Sequence, residues 1–358
     1  MTAERAGRPP GLAIRAGPID LTSVTSQDVI VVGAGVLGLA CAAELAAQGL
    51  SVTVVDPGGP NASAIAAGML APAMESLTED LPPRTVALLK AARALWPDFA
   101  ARHGLTLMED GAEWRGPDAE AALTRLKALG FAAELRPGGV FTPEDARIDP
   151  EAALSVLAGP AGRHLSRATA VGRDYGRWTV ATDTDVLTAD HLILATGTAE
   201  ALTGLPPAVA ALVRAITPIR GQIAGLDGDA PAHVSRTPHG YAVPDARGGV
   251  RIGSGMEAGR RDLTPDLAAA RVQVAAVCAA LRLTPSAPRV RVGVRGAVVD
   301  GLPLAGPLDG LQLALAPRRN GWLLAPLVAR VVTDAVLGRP PGMWAADLDP
   351  IRLSPAAG

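Results

Sequence analysis

The hydrophobic pattern starts at Asp28, with Val29–Val32 as a β-branched apolar run. Residues 36–48 then form an almost wholly apolar stretch of Leu and Ala, and Ser51–Val55 is a second apolar run. This spacing predicts strand, helix and strand, with Gly49 as the helix C-cap. Further along, Leu88, Leu89, Ala92, Leu95 and Trp96 recur at helical spacing over 84–104, as do Ala122, Leu126 and Leu129 over 118–129. Asp149-Pro150 supplies an N-cap acceptor and a proline at the first helical position, so another helix opens there. Strands are predicted around 168–172, 177–181 and 185–195. From 216 to 300 the character is β, with one helix opened by Thr264-Pro265 and running to about Leu281. A strand at Leu311–Ala316 and a helix from Trp322 to Leu337 close the pattern.

The first strand and helix are joined by Gly33-Ala34-Gly35-Val36-Leu37-Gly38, a G-x-G-x-x-G turn, and the second strand ends in Asp56-Pro57. Each position has a physical task. Gly33 allows the tight turn, and Gly35 lets backbone N–H groups approach a pyrophosphate at the positive end of the helix dipole. Gly38 lets helix and sheet lie close. Asp56, 18 positions after Gly38, is placed for an adenosine ribose. Strand, glycines, helix, second strand and acid in that order predict dinucleotide binding.

Composition narrows the picture. At 358 residues the chain has room for two domains. Hydrophobic residues make up 49%, mostly through alanine. No apolar run approaches the ~18 residues of a membrane span. A net charge of −2 gives no reason to expect a nucleic-acid partner. Cys41 and Cys278 are the only cysteines, which fits a reducing, cytoplasmic compartment without a disulfide. His103, His164, His191, His233 and His239 form no ligand-spaced set, so no metal is expected. Residues 1–27 lack an apolar core and read as a disordered leader. There is neither a G-x-S-x-G elbow nor a phosphate-binding G-x-x-x-x-G-K-[ST].

Asn61 to Pro72 is a run of small residues, suited to a backbone passing close to a flat ligand. Its Ala62-Ser63 and Ala67-Gly68-Met69 resemble the A-S-x-A-A-G-M-L-A-P segment of the D-amino-acid-oxidase-like FAD-dependent oxidoreductases, nearest to the glycine oxidases of thiamine biosynthesis. Further landmarks are similar and in the same order. They are His191–Ala195 running into Thr196-Gly197, Pro218 to Gln222, Tyr241 to Pro244, Gly253 to Met256, Arg295, and Arg319-Asn320-Gly321-Trp322-Leu323. The resemblance covers about residues 28–345. It implies FAD, since a second nucleotide-contacting strand ending at Gly197 is unusual in simple NAD enzymes. It also implies an α/β fold in which a Rossmann-like FAD-binding domain is interleaved with an α+β substrate domain built on an antiparallel sheet. The expected division gives 28–83, 146–215 and 301–350 to the FAD domain, and 84–145 and 216–300 to the substrate domain.

By resemblance, the cofactor contacts are Gly33, Gly35, Val36, Leu37, Gly38, Asp56, Pro57, Ala62, Ser63, Ala67, Gly68, Met69, Ala168, Gly197, Arg318, Asn320, Gly321, Trp322 and Leu323. Arg295 corresponds to the arginine that grips the substrate carboxylate, a task for which a planar, permanently charged fork is suited. Tyr241 would give the second carboxylate contact, Arg319 would face the substrate amine through its backbone, and Met256 would pack at the substrate. The chain departs from the family where Ala316-Pro317-Arg318 replaces Gly-His-aromatic, and where Gly296 replaces the proline after the clamp arginine. No side chain is assigned acid–base work, because the flavin accepts the hydride.

The expected activity is oxidative deamination of glycine or a similar small amine to a 2-oxo acid and ammonia. Molecular oxygen would give hydrogen peroxide, and the product could supply thiazole biosynthesis. Two alternatives stand beside it: a D-amino-acid or sarcosine-like dehydrogenase or oxidase, and a flavin-binding protein without turnover. No membrane is expected as a partner, and homo-oligomerisation is left open.

Overall fold

The computed structural model describes residues 26–253 and 255–353. The expected leader falls outside these except for Ser26 and Gln27, which instead pair in the first strand opposite Thr188 and Ala189. Nine elements position the site. They are β1 (Ser26–Val32), α1 (Val36–Ala47), β2 (Val52–Val55), α2 (Pro72–Thr78), β3 (Val186–Leu194), β4 (Thr217–Leu226), β5 (Arg289–Ala297), β6 (Leu311–Leu315) and α3 (Gly321–Val336).

β1 lies between β2 and β3, both parallel to it, and β6 extends the sheet beside β3. Strands buried on both faces read as continuous apolar runs, and β1 shows why. Val29 and Val31 enter one core with α1 and α3, while Ile30 and Val32 enter another on the opposite face. The alanines of α1 let α3 pack against it, so α1 is buried from Val36 to Leu45. The mixed α/β fold with a Rossmann-like sheet is as the sequence implies.

The second sheet carries nine strands, among them β4, β5 and the strands Ala112–Trp114, Gly139–Thr142, Val234–Thr237, Gly240–Pro244 and Val250–Gly253. Most of its pairs are antiparallel, with one departure where Val234–Thr237 runs parallel to Ala112–Trp114. Residues 112–142, read mainly for their helix, thus also contribute strands to this roof.

Two element boundaries differ from expectation. The helix over 84–104 is two helices, Pro83–Ala94 and Trp96–His103. Pro97 has no N–H to continue the ladder across Leu95. The helix ending at Leu281 begins at Leu267 under an Asp266 cap, whose Oδ1 accepts from the Ala269 N–H at 2.9 Å. Thr264 lies three residues before the first helical position and so is not the cap, and its carbonyl accepts from Arg220 instead. Among the described residues no helix is long and apolar enough to cross a membrane.

Candidate functional site

Four clefts follow one another along the molecule. The first, at the carboxyl ends of β1 and β2, is lined by Gly33, Asp56, Pro57, Ala168 and Thr196. Gly33 sits at φ +112°, and a Cβ there would lie 2.3 Å from the Ala195 carbonyl oxygen, so only glycine fits. Asp56 accepts from the N–H groups of Ala34 and Gly58, both at 2.8 Å. Its carboxylate therefore fixes the glycine turn as well as facing the groove.

The second cleft lies over the start of α1, with Gly35, Val36, Leu37, Ala62, Ser63, Gly197, Arg318, Gly321 and Trp322 in its walls. Gly35 caps the helix without a side-chain bond, and Ser63 Oγ accepts from the Val36 N–H at 3.0 Å. Asn61 Oδ1 in turn accepts from Ser63 and Ala64 N–H, both at 3.0 Å, and Trp322 Nε1 donates to the Ser63 carbonyl at 3.1 Å. These bonds lock the small-residue segment onto the glycine turn and α3.

The third cleft is lined by Ala67, Gly68, Met69, Asn320, Tyr241, Met256, Arg295 and Arg319. β4 and β5 pair with Ile219 opposite Arg295, so the arginine projects beside Gly221. A Cβ at Gly221 would lie 2.3 Å from Arg295 Nη2, which makes the glycine a seat for the guanidinium. Nη2 donates to the Gly255 carbonyl at 2.8 Å. Burial chiefly pushes the Arg295 pKa down, with Arg319 adding to this and Tyr241 and Glu75 opposing it. Tyr241 pairs opposite Gly253, and burial raises its hydroxyl pKa, so it stays a neutral donor.

Gly38 and Leu323 are the two expected cofactor contacts absent from these clefts. A Cβ on Gly38 would lie 2.1 Å from the Gly33 carbonyl, so its role is helix–turn packing. Leu323 is buried in the α1–α3 core, and its carbonyl accepts from Trp96 Nε1 at 3.1 Å.

The sequence did not single out Glu75 or Arg236, yet both line the third cleft. Glu75, on α2, is paired with Arg236 and Arg319. Burial alone would raise its pKa, but the two arginines outweigh burial and hold it below the usual carboxylate range. Behind it, Asp145 accepts from the Ala73 and Met74 N–H groups at 2.8 and 3.1 Å. Burial pushes the Asp145 pKa up to about 7. The available signal was a lone carboxylate in the apolar stretch Met69–Leu77, since a buried charge requires a partner.

The trench has a carboxylate at one end, a helix N-terminus in the middle, small residues along its wall and a guanidinium at the other end. Those features fit an adenine dinucleotide carrying a flat reactive ring. The family model described as FAD dependent oxidoreductase matches residues 28–335. The chain is 29% identical to the glycine oxidase of Pseudomonas aeruginosa, over 92% of this chain and 99% of that one. It is also 29% identical to the bifunctional protein ThiO/ThiG of Trichormus variabilis over 87% of its length, but spans only 53%, about half, of that longer relative. The crystal structure of glycine oxidase from Geobacillus kaustophilus superposes with a TM-score of 0.75 at 23% identity, covering 90% of this chain and 98% of the other. The chain thus belongs to the FAD dependent oxidoreductase family, with FAD as its cofactor.

Proposed function

We propose that the chain oxidises the amine of glycine or a similar small amino acid, releasing the 2-oxo acid, ammonia and, with oxygen as acceptor, hydrogen peroxide. One observation carries this: Arg295 is a largely buried cation in the third cleft with no ion-pair partner among the described residues. A desolvated guanidinium without a counter-ion is an anion site, and its fork matches a carboxylate in two parallel bonds.

In this assignment Arg295 grips the substrate carboxylate, with Nη2 held in register by Gly255. Tyr241 donates a second bond from its neutral hydroxyl. The Arg319 backbone carbonyl receives the amine, which fixes the Cα–H direction, and Met256 covers the cleft at its rim. Holding the reacting atoms in one orientation is the chain's main contribution to rate. When bound, FAD supplies the two-electron acceptor for the Cα hydride. The resulting imine leaves for hydrolysis by water.

Ala62, Ser63, Gly35 and Gly197 are proposed along the pyrophosphate, with Asp56 and Ala168 at the adenosine end. In the same proposal the cofactor-holding unit comprises 28–83, 146–215 and 301–350, roofed by 84–145 and 216–300. The helices Pro83–Ala94 and Trp96–His103 nevertheless pack with α1 and α3. The same reading extends to a cytoplasmic location and a supply of thiazole for thiamine, beside relatives named glycine oxidase and ThiO/ThiG.

The test is anaerobic addition of glycine, sarcosine and D-alanine to the yellow protein, followed by aeration. Bleaching with peroxide on aeration is expected for glycine. A flavin that no amine bleaches would refute the assignment.

A further inference from the structure

The trench continues past Arg295. Arg236, Tyr241 and Arg319 line both the third cleft and a fourth, outer one that opens toward Trp114, Arg125 and His239. The carboxylate and amine of glycine are accounted for at Arg295, Tyr241 and the Arg319 carbonyl, which leaves this outer space without an occupant.

Charge at the junction does not balance. Arg236, Arg319 and the adjoining Arg318 carry three positive charges, against Glu75 and Glu79, while Arg125 and Asp118 on the outer wall add one charge of each sign. Glu75 serves Arg236 and Arg319, while Glu79 serves Arg318 at 2.7 Å and Arg319 at 3.0 Å. Asp145 faces Arg236 and Glu75 from behind and, with its pKa near 7, is only partly ionised at neutrality. Both carboxylates are therefore shared or already committed.

Hydrogen bonding leaves the same gap. Arg236 Nε and Arg319 Nη2 are buried without an acceptor. Arg236 itself is only 8% exposed. Guanidinium groups only donate, so an acceptor is needed there, and the uncompensated charge makes it anionic.

Resting on the amine-oxidation reading, we propose that Arg236 and Arg319 form a second anion subsite at the junction of the two clefts. The substrate is then an amino acid whose side chain or N-substituent ends in a carboxylate, with the first carboxylate on Arg295 and the second at the junction.

The FAD-loaded protein is titrated calorimetrically with malonate, succinate, glutarate and adipate, each against the monocarboxylate of equal carbon number. One dicarboxylate length is expected to bind at least about tenfold more tightly than its partner. Arg319→Met and Arg236→Met should each reduce that ratio to about threefold or less. A flat series in the unmodified protein overturns the subsite whether or not the variants fold, and so does a preference that survives both substitutions. Glycine bleaching is scored separately, so loss of the subsite and loss of amine oxidation remain distinct results.

Discussion

Arg295 donates from Nη2 to the Gly255 carbonyl at 2.8 Å, and that is the only hydrogen bond of its guanidinium among the described residues. One of its five N–H groups is thereby used for orientation, and the other four are left without a protein acceptor. Arg295→Ala should raise the KM for the amino acid with FAD still bound, at a cost of about 2–5 kcal/mol for a desolvated carboxylate pair. Arg295→Lys should recover little, because an ammonium cannot offer the planar fork. Steady-state kinetics with glycine check both, and an unchanged KM in Arg295→Ala removes the residue from the site.

Gly221 carries the second expectation. A Cβ at this position meets Arg295 Nη2 at 2.3 Å and the Gly255 carbonyl oxygen at 2.7 Å. The arginine head is the softer neighbour, so Gly221→Ala should displace it and raise KM by roughly tenfold or more, about 1.4 kcal/mol. Bound FAD measured by absorbance should stay near one per chain. A variant with wild-type KM would show that the guanidinium does not need this seat.

Glu75→Gln should lower stability. It removes the anion from a buried cluster and leaves Arg236 and Arg319 facing one another. Breaking a buried pair from one side costs about 3–5 kcal/mol, since the remaining charge is uncompensated. Chemical denaturation should show a lower midpoint, and a shift below about 1 kcal/mol would mean that the cluster is far more hydrated than its burial suggests.

Much of this site was legible in the sequence because backbone constraints leave marks in residue type. The Gly33–Gly38 turn, the Asp56 acid and the Asn61–Met69 small-residue run can be read directly, since sterics allow few alternatives there. Arg295 and Tyr241 came from the family resemblance, and the strand register then placed them in one cleft. The Glu75–Arg236–Arg319 cluster was not legible, because its members lie far apart in the chain and meet only when α2 packs under the second sheet. Ala316 shows a milder limit. It occupies φ +55° where the family has glycine, so the turn shape persists without the residue type that usually announces it. The parallel pair between Val234–Thr237 and Ala112–Trp114 was hidden for a similar reason, since alternation reports a strand but not its partner.

Asp145 makes stability depend on pH in the opposite sense to most carboxylates. It is 0% exposed, and burial raises its pKa from 3.8 to about 7, against the lowering influence of the Ala73 and Met74 N–H groups and Arg236. Between those two values the folded state holds a proton that the unfolded state has lost. Its contribution is therefore fully present below pH 4 and is lost as pH rises to about 7. The shift is about 3 units, so the loss is on the order of 4 kcal/mol. Asp145→Asn removes this titration while keeping an acceptor for α2. The stability difference, wild type minus variant, should thus fall steadily from pH 4 to pH 7 and then level off. Urea denaturation at several pH values measures it, and subtracting the variant cancels the contributions of carboxylates remote from Asp145. A difference that rises with pH over that range would mean that Asp145 is ionised in the fold, with Arg236 as its dominant neighbour.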